Sequence, residues 1–185
     1  MHKPIIIVGE HDFSWMMGRP QQLAIALADT GHKVFYVSNR GAPIKYSDNL
    51  LVDVSPEDER LPRTDVVVYI SNPLQVEFVR WLKEYHLWYD IFEHESICLG
   101  KESTPRYFRA KEAALSNAKI ITTSSVGWHS HKGTLLSPRK NPKILLMHNG
   151  CSPNAQDKAV SDEKSTGSMG GLLSELGDNY VNIII

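Results

Sequence analysis

Cysteine is almost absent from this chain: Cys98 and Cys151 are the only two in 185 residues. Two cysteines make no disulfide framework and nothing marks secretion, so a reducing cytoplasm is the expected setting. Excess charge is missing as well. The formal net charge is -1, and the basic residues are scattered rather than gathered into a stripe. That removes the electrostatic ground for expecting nucleic acid as a partner. Long apolar runs are lacking. The N-terminal "IIIV" is far too short for a signal-peptide core or a membrane-spanning helix, which leaves peripheral contact as the form of membrane association still open. Metal-ligand patterns are missing too: His129-x-His131 and His148 match no known spacing, and no cysteine or carboxylate cluster completes a site, so no metal is expected. Finally, the phosphate-binding glycines are absent. The stretch "GEHDFSWMMGRP" holds glycines only at 9 and 18, with neither G-x-G-x-x-G nor a P-loop. There is no G-x-S-x-G elbow, and "EHES" is not H-E-x-x-H.

What is present is an alternation of buried strands and helices. With 42% hydrophobic residues the chain can bury one ordinary core. Continuous apolar runs predict strands near 4–8, 33–37, 65–71, 87–93, 119–123 and 144–147, with a weaker one at 50–54. Pro20 suits a first helical turn; Leu23, Ala24, Leu27 and Ala28 then repeat at helical spacing, and Gly31 sits where a helix-terminating glycine belongs. A second helix is predicted over 76–86 with Phe78, Val79 and Leu82 inward. A third is capped by Ser103 or Thr104 and runs from Pro105 to about Asn117. The pattern implies an α/β fold, a Rossmann-like open parallel sheet with helices on both faces. Residues 1–150 form that domain. Residues 151–185 read as a polar linker or tail. Its closing "YVNIII" reads as a strand, which either adds to this sheet or begins a further domain.

In such sheets ligands bind beyond the carboxyl ends of the strands. The residues standing there are Glu10 and His11, Ser38 and Asn39, Ser71 and Asn72, His94 and Glu95, Ser124 and Ser125, and His148 and Asn149. Each is read either as part of a site or as an ordinary turn residue. The loop with Phe13, Trp15, Met16 and Met17 is read as a wall for a ligand or partner domain, or as a lid on its own core. Arg19, at a helix N-terminus, either meets an anion such as a phosphate or lies on the surface. His94 follows a central strand between Glu93 and Glu95, where a carboxylate would orient its ring or raise its pKa, or where the ring caps a loop.

Taken in order, these stretches resemble a known family. "W…GRPQQLAIALADTGHKVFYVS" resembles the opening of GT-B glycosyltransferases of the GT4 type. "DVVVYISNP", "YDIFEHES" and "KEAALSNAKIITTSS" are similar to later segments of that family, the last with Glu112 and Ser124 matching. "HNG" at 148–150 resembles its Asn-Gly turn, although Cys151-Ser152 stands where Asp and an aromatic residue usually follow. The likeness is to transferases of bacterial cell-surface polysaccharide assembly, of the teichuronic-acid type. It implies an enzyme that moves a sugar from a nucleoside diphosphate sugar to an acceptor hydroxyl, usually with retention and with neither metal nor cofactor. It implies that this chain is the acceptor-side N-terminal domain, inactive alone, because the E-x7-E donor site of the second domain is not found in it. Within that reading the residues already singled out by position take roles: His94 is the catalytic candidate, and Glu10, Trp15, Arg19, Asn72, Glu95, Ser124 and Asn149 are the substrate contacts. The alternative is a non-catalytic Rossmann-like module that binds a sugar or a nucleotide. An epimerase-like or flavodoxin-like enzyme is disfavoured by the missing phosphate-binding glycines.

Overall fold

The run Ile5–Val8 carries no polar residue, and all four side chains are buried. It forms β1, flanked on both sides by parallel strands. In the computed structural model, which describes residues 2–15, 17–38, 42–91, 104–123 and 143–146, the chain continues through α1 (Arg19–Asp29), β2 (Val34–Val37), β3 (Ile44–Lys45), β4 (Leu50–Val54) and β5 (Val66–Ile70). A 3-10 helix (Pro73–Trp81), β6 (Tyr85–Ile91), α2 (Pro105–Asn117), β7 (Ala118–Thr123) and β8 (Lys143–Leu146) follow. The strands form one sheet in the order β3-β4-β2-β1-β5-β6-β7-β8. Every pairing is parallel except the short edge pair β3–β4. This is the expected Rossmann-like open sheet. The order reverses between β1 and β5, where such sheets open a crevice for ligands.

The helices cover both faces. On one, α1 buries Leu23, Ala24, Leu27 and Ala28 against Ile5, Ile7 and Tyr36. Its two leucines contribute about 1.5–3 kcal/mol each by burial. Pro20 occupies the first turn as anticipated, Thr30 ends the helix, and Gly31 takes a φ of 89°. That left-handed conformation suits glycine and turns the chain directly into β2. On the opposite face, the 3-10 helix and α2 pack Val76, Phe78, Leu82, Ala110 and Ala114 onto Ile6, Val68 and Ile121. Thr104 caps α2 by accepting from the Tyr107 N–H at 3.3 Å.

One expectation is corrected and one element is added. The helix predicted over 76–86 is a 3-10 helix that begins at Pro73 and stops at Trp81. Tyr85 and His86 belong to β6 instead, paired with Val66 and Val67. The apolar residues Pro73, Val76, Val79 and Leu82 recur every third position. A 3-10 helix with three residues per turn aligns such a row along one face, whereas an α-helix would spiral it away. The edge strand Ile44–Lys45 was not anticipated, since two exposed residues carry no alternation to read. Among the described residues no helix is long and apolar enough to cross a membrane.

Candidate functional site

The carboxyl rim of the sheet is built from short-range bonds that start with glycine and amides. Gly9 follows β1, and its N–H donates to the Val37 carbonyl at 2.8 Å. A Cβ there would lie 2.3 Å from the Tyr36 hydroxyl and 2.4 Å from its ring. Glycine is therefore required by the passage of Tyr36, which is itself buried and donates to the His11 carbonyl at 3.2 Å. Burial, with Asp53, Glu10 and Asp12 nearby, pushes the Tyr36 phenol well above its ordinary value and keeps it a donor.

Across the switch point, Asn72 stands two residues past β5. Its Oδ1 caps the 3-10 helix by accepting from the Leu74 N–H at 2.9 Å, and its Nδ2 donates to Glu10 Oε1 at 2.6 Å. Glu10 and Asn72, both singled out in the sequence, thus bridge the crevice between β1 and β5. Gln75 locks the arrangement. Its Oε1 accepts from the Ser71 and Asn72 N–H groups, each at 2.9 Å, and its Nε2 donates to the Val8 carbonyl at 2.8 Å. Beside this bridge, on the face covered by the 3-10 helix, lies a cleft of about 410 Å³ that reaches from Gly9 and Glu10 to Arg80 and Trp81.

On the opposite face the rim is closed by charge. Asp90 is fully buried in β6. Arg19, from the first turn of α1, meets it with Nε at 2.8 Å and Nη2 at 3.1 Å. Tyr69 and Thr122 each donate a hydroxyl to the same carboxylate at 2.6 Å, and Trp88 Nε1 donates to Thr122 at 2.9 Å. Tyr69 and Trp88 also meet edge to face, 5.2 Å between centroids. Burial pushes the Asp90 carboxyl above its ordinary value, while Arg19, Thr122 and Tyr69 favour its charged form. The anion that Arg19 meets is therefore supplied by the fold itself. The pair ties the start of α1 to the middle of the sheet.

A second buried acid shapes the β4 end. The β2–β4 register slips between Phe35 and Val37, and Asp53 takes a φ of 54° there. The bulge re-aims its carboxylate, which accepts from the Phe13 N–H at 2.8 Å and the Ser38 hydroxyl at 3.0 Å. The loop after β1 is split in consequence. Phe13 is buried against Tyr36, whereas Trp15 is 63% exposed and lies 4.2 Å from the His11 ring.

One property unites these bonds. The N–H groups of Gly9, Ser71, Asn72 and Leu74 each have an acceptor within the chain. Folds that cradle phosphates present such groups to the ligand.

Of the residues anticipated from the sequence, Glu10 and Asn72 are brought together, Arg19 stands on the other face of the sheet, and Trp15 projects from the loop. His94, Glu95, Ser124 and Asn149 lie outside the described residues. Asp53, Gln75, Trp81 and Asp90 were not anticipated. For the two aspartates a signal existed, a single acid inside each of the apolar runs "LLVDV" and "LWYDI". Among the described residues no group of three or more His, Cys, Asp or Glu could hold a metal. No protein-family model and no curated protein matches this chain.

Proposed function

We propose that this chain is the acceptor-side domain of a glycosyltransferase that moves a sugar from a nucleoside diphosphate sugar to an acceptor hydroxyl in cell-surface polysaccharide synthesis. The observation that carries the reading is the contrast at the switch point. The Gly9, Ser71, Asn72 and Leu74 N–H groups are bonded internally, while an open cleft lies beside them. A domain of this kind offers a surface to an acceptor and leaves the donor to a second domain. The resemblance of the 4–150 segments to GT4-type enzymes supplies the reaction.

In this reading the second domain holds the diphosphate and sugar and closes over the acceptor, so that water is excluded and the reacting atoms are aligned. His94 is the proposed sugar contact. Glu10, Trp15 and Asn72 face the acceptor, and Glu95, Ser124 and Asn149 are further proposed substrate contacts. The role of Arg19 is to fix the start of α1 through Asp90. The enzyme would work in the cytoplasm, with peripheral membrane contact where the acceptor is lipid-linked.

The test is a transfer assay with a panel of nucleotide sugars and acceptor glycans. It is run on the purified chain and on the chain expressed with the reading frame that follows it. Transfer only by the longer product supports the proposal. Robust transfer by this chain alone refutes the half-enzyme reading. Tight nucleotide-sugar binding without transfer by either product favours the alternative of a non-catalytic binding module.

A further inference from the structure

The cleft beside the Glu10–Asn72 bridge has a lining whose chemistry narrows its ligand. Its volume, about 410 Å³, falls low in the roughly 300–1,000 Å³ range of small-molecule sites. The charged side chains lining it are Glu10, Glu77 and Arg80. Glu77 is already held by Arg106, whose Nη2 donates to both carboxylate oxygens at 2.8 and 2.9 Å. What remains for a ligand is an exposed carboxylate, Glu10, set against an exposed guanidinium, Arg80. Asn72 engages Glu10 through Oε1 and so orients the carboxylate. Trp81 supplies an apolar surface. It is 39% exposed, and the Arg80 guanidinium stands 5.6 Å from its ring centroid.

Three ligand classes can be weighed against this lining. A phosphate would be drawn to Arg80 but repelled by Glu10, and the N–H groups of Gly9, Asn72 and Leu74 are already bonded. An amine would be drawn to Glu10 but repelled by Arg80. An uncharged ring rich in hydroxyls meets every group with its complement. Its O–H groups donate to Glu10, its oxygens accept from Arg80, and its C–H face lies on the indole. We infer that this cleft binds a single neutral pyranose unit, with Trp81 as its platform and Glu10 as its hydrogen-bond acceptor. The inference rests on the acceptor-side reading for its biological role, since the pyranose would be the acceptor's terminal sugar, but the cleft chemistry stands without it.

The experiment is a titration of the full chain followed by amide NMR. The probes are methyl pyranosides of glucose, galactose and mannose and N-acetylglucosamine, set against glucuronate, glucosamine and inorganic phosphate. The expected result is weak binding of at least one neutral pyranoside, with shifts confined to residues 8–10 and 72–81. Trp81→Ala should weaken it by up to about tenfold, as expected for loss of an aromatic contact, and Trp81→Phe should restore most of it. Glu10→Ala should weaken it by about tenfold or more, the effect of a lost hydrogen bond to a charged group. Circular dichroism checks that each variant keeps the fold. Shifts elsewhere, tighter binding of any charged probe at the cleft, no binding of any neutral probe, or unchanged affinity in both alanine variants would overturn the inference. Pyranoside binding without transferase activity in the longer product would sink the glycosyltransferase reading and keep the cleft. Transfer without pyranoside binding would do the reverse.

Discussion

The two faces of the carboxyl rim solve the same local problem in opposite ways. Under α1, the strand ends of β5, β6 and β7 converge on Asp90, and its carboxylate takes four hydrogen bonds from Arg19, Tyr69 and Thr122. Arg19, Tyr69, Thr122 and Trp88 are all bonded within this network. Under the 3-10 helix, the ends of β1, β2 and β5 leave an open cleft whose walls are fixed by Gln75 and Asn72 while Glu10, Arg80 and Trp81 stay exposed. Polarity at a strand end is therefore a poor guide to function by itself. What separates the faces is whether the acid at the strand end is buried, as Asp90 is, or exposed, as Glu10 is.

The sharpest way to break this comparison is to open the closed side. Asp90→Ala takes this acceptor from a partly buried guanidinium and two hydroxyls. The expected loss is about 3–5 kcal/mol, the range for breaking one member of a buried ion pair. Urea denaturation followed by circular dichroism measures it. Arg19→Met combined with Asp90→Leu should recover much of that loss, because an apolar pair removes the stranded charge. A loss below about 1 kcal/mol in Asp90→Ala would show that the network does not hold α1 to the sheet.

Next in size is Gly9→Ala. The added methyl would collide with the Tyr36 ring, which is buried and tied to His11. The cost should fall near the top of the about 1–3 kcal/mol range for overpacking. A neutral result would mean that Tyr36 can swing aside. Gln75→Ala should cost about 1 kcal/mol, the lower end for unmade bonds, because the freed Ser71 and Asn72 N–H groups lie at the rim where water reaches. It should also make the switch point more receptive to inorganic phosphate, which a phosphate titration would detect.

The amino end of the sheet provides a control with a defined pH response. His32 is buried against His2, 4.6 Å between ring centroids, and is held below its ordinary value of 6.5 by burial first and by His2 second. The unfolded chain therefore binds a proton that the folded form resists. Its contribution to stability is full above pH 6.5 and is lost as pH falls through the lowered folded value. His86 acts in the same direction, through burial and then Lys3 and Lys119, against Asp65 and Glu84. Denaturation midpoints across that window should fall with acidity, and His32→Leu should flatten the fall. Cleft substitutions should not change its slope. The smallest effect expected is Trp81→Ala, within about 0.5 kcal/mol of the parent protein, since an exposed indole on the open side belongs to the ligand more than to the core.

The first half of this architecture was legible because its signals are local. The apolar run of β1, Pro20 in the first turn of α1 and Gly31 after its end each act within a few residues. The continuous strands 66–70 and 118–123 were equally plain. The 3-10 helix was not legible because Phe78, Val79 and Leu82 satisfy an α-helical spacing, and the three-residue row emerges only when Pro73 is counted into the element. The site was harder to read, for tertiary reasons. Gln75 reaches Val8, 67 positions away, and Arg19 reaches Asp90, 71 away. Asp53 owes its aim to a bulge that exists only in the pairing of β2 with β4. Glu10 and Asn72 were found because their place after a strand is a local fact, and their mutual contact follows from the strand order.

The central claim is that the Gly9, Ser71, Asn72 and Leu74 N–H groups at the switch point are bonded internally and so are not offered to a nucleotide's diphosphate. Its most direct test is calorimetric titration of this chain with nucleoside diphosphates and nucleotide sugars, at low salt where phosphate contacts are strongest. The account predicts no saturable binding attributable to the diphosphate, while neutral pyranosides still shift the amides of 8–10 and 72–81. Tight diphosphate binding that shifts Gly9, Ser71 and Asn72 would contradict it.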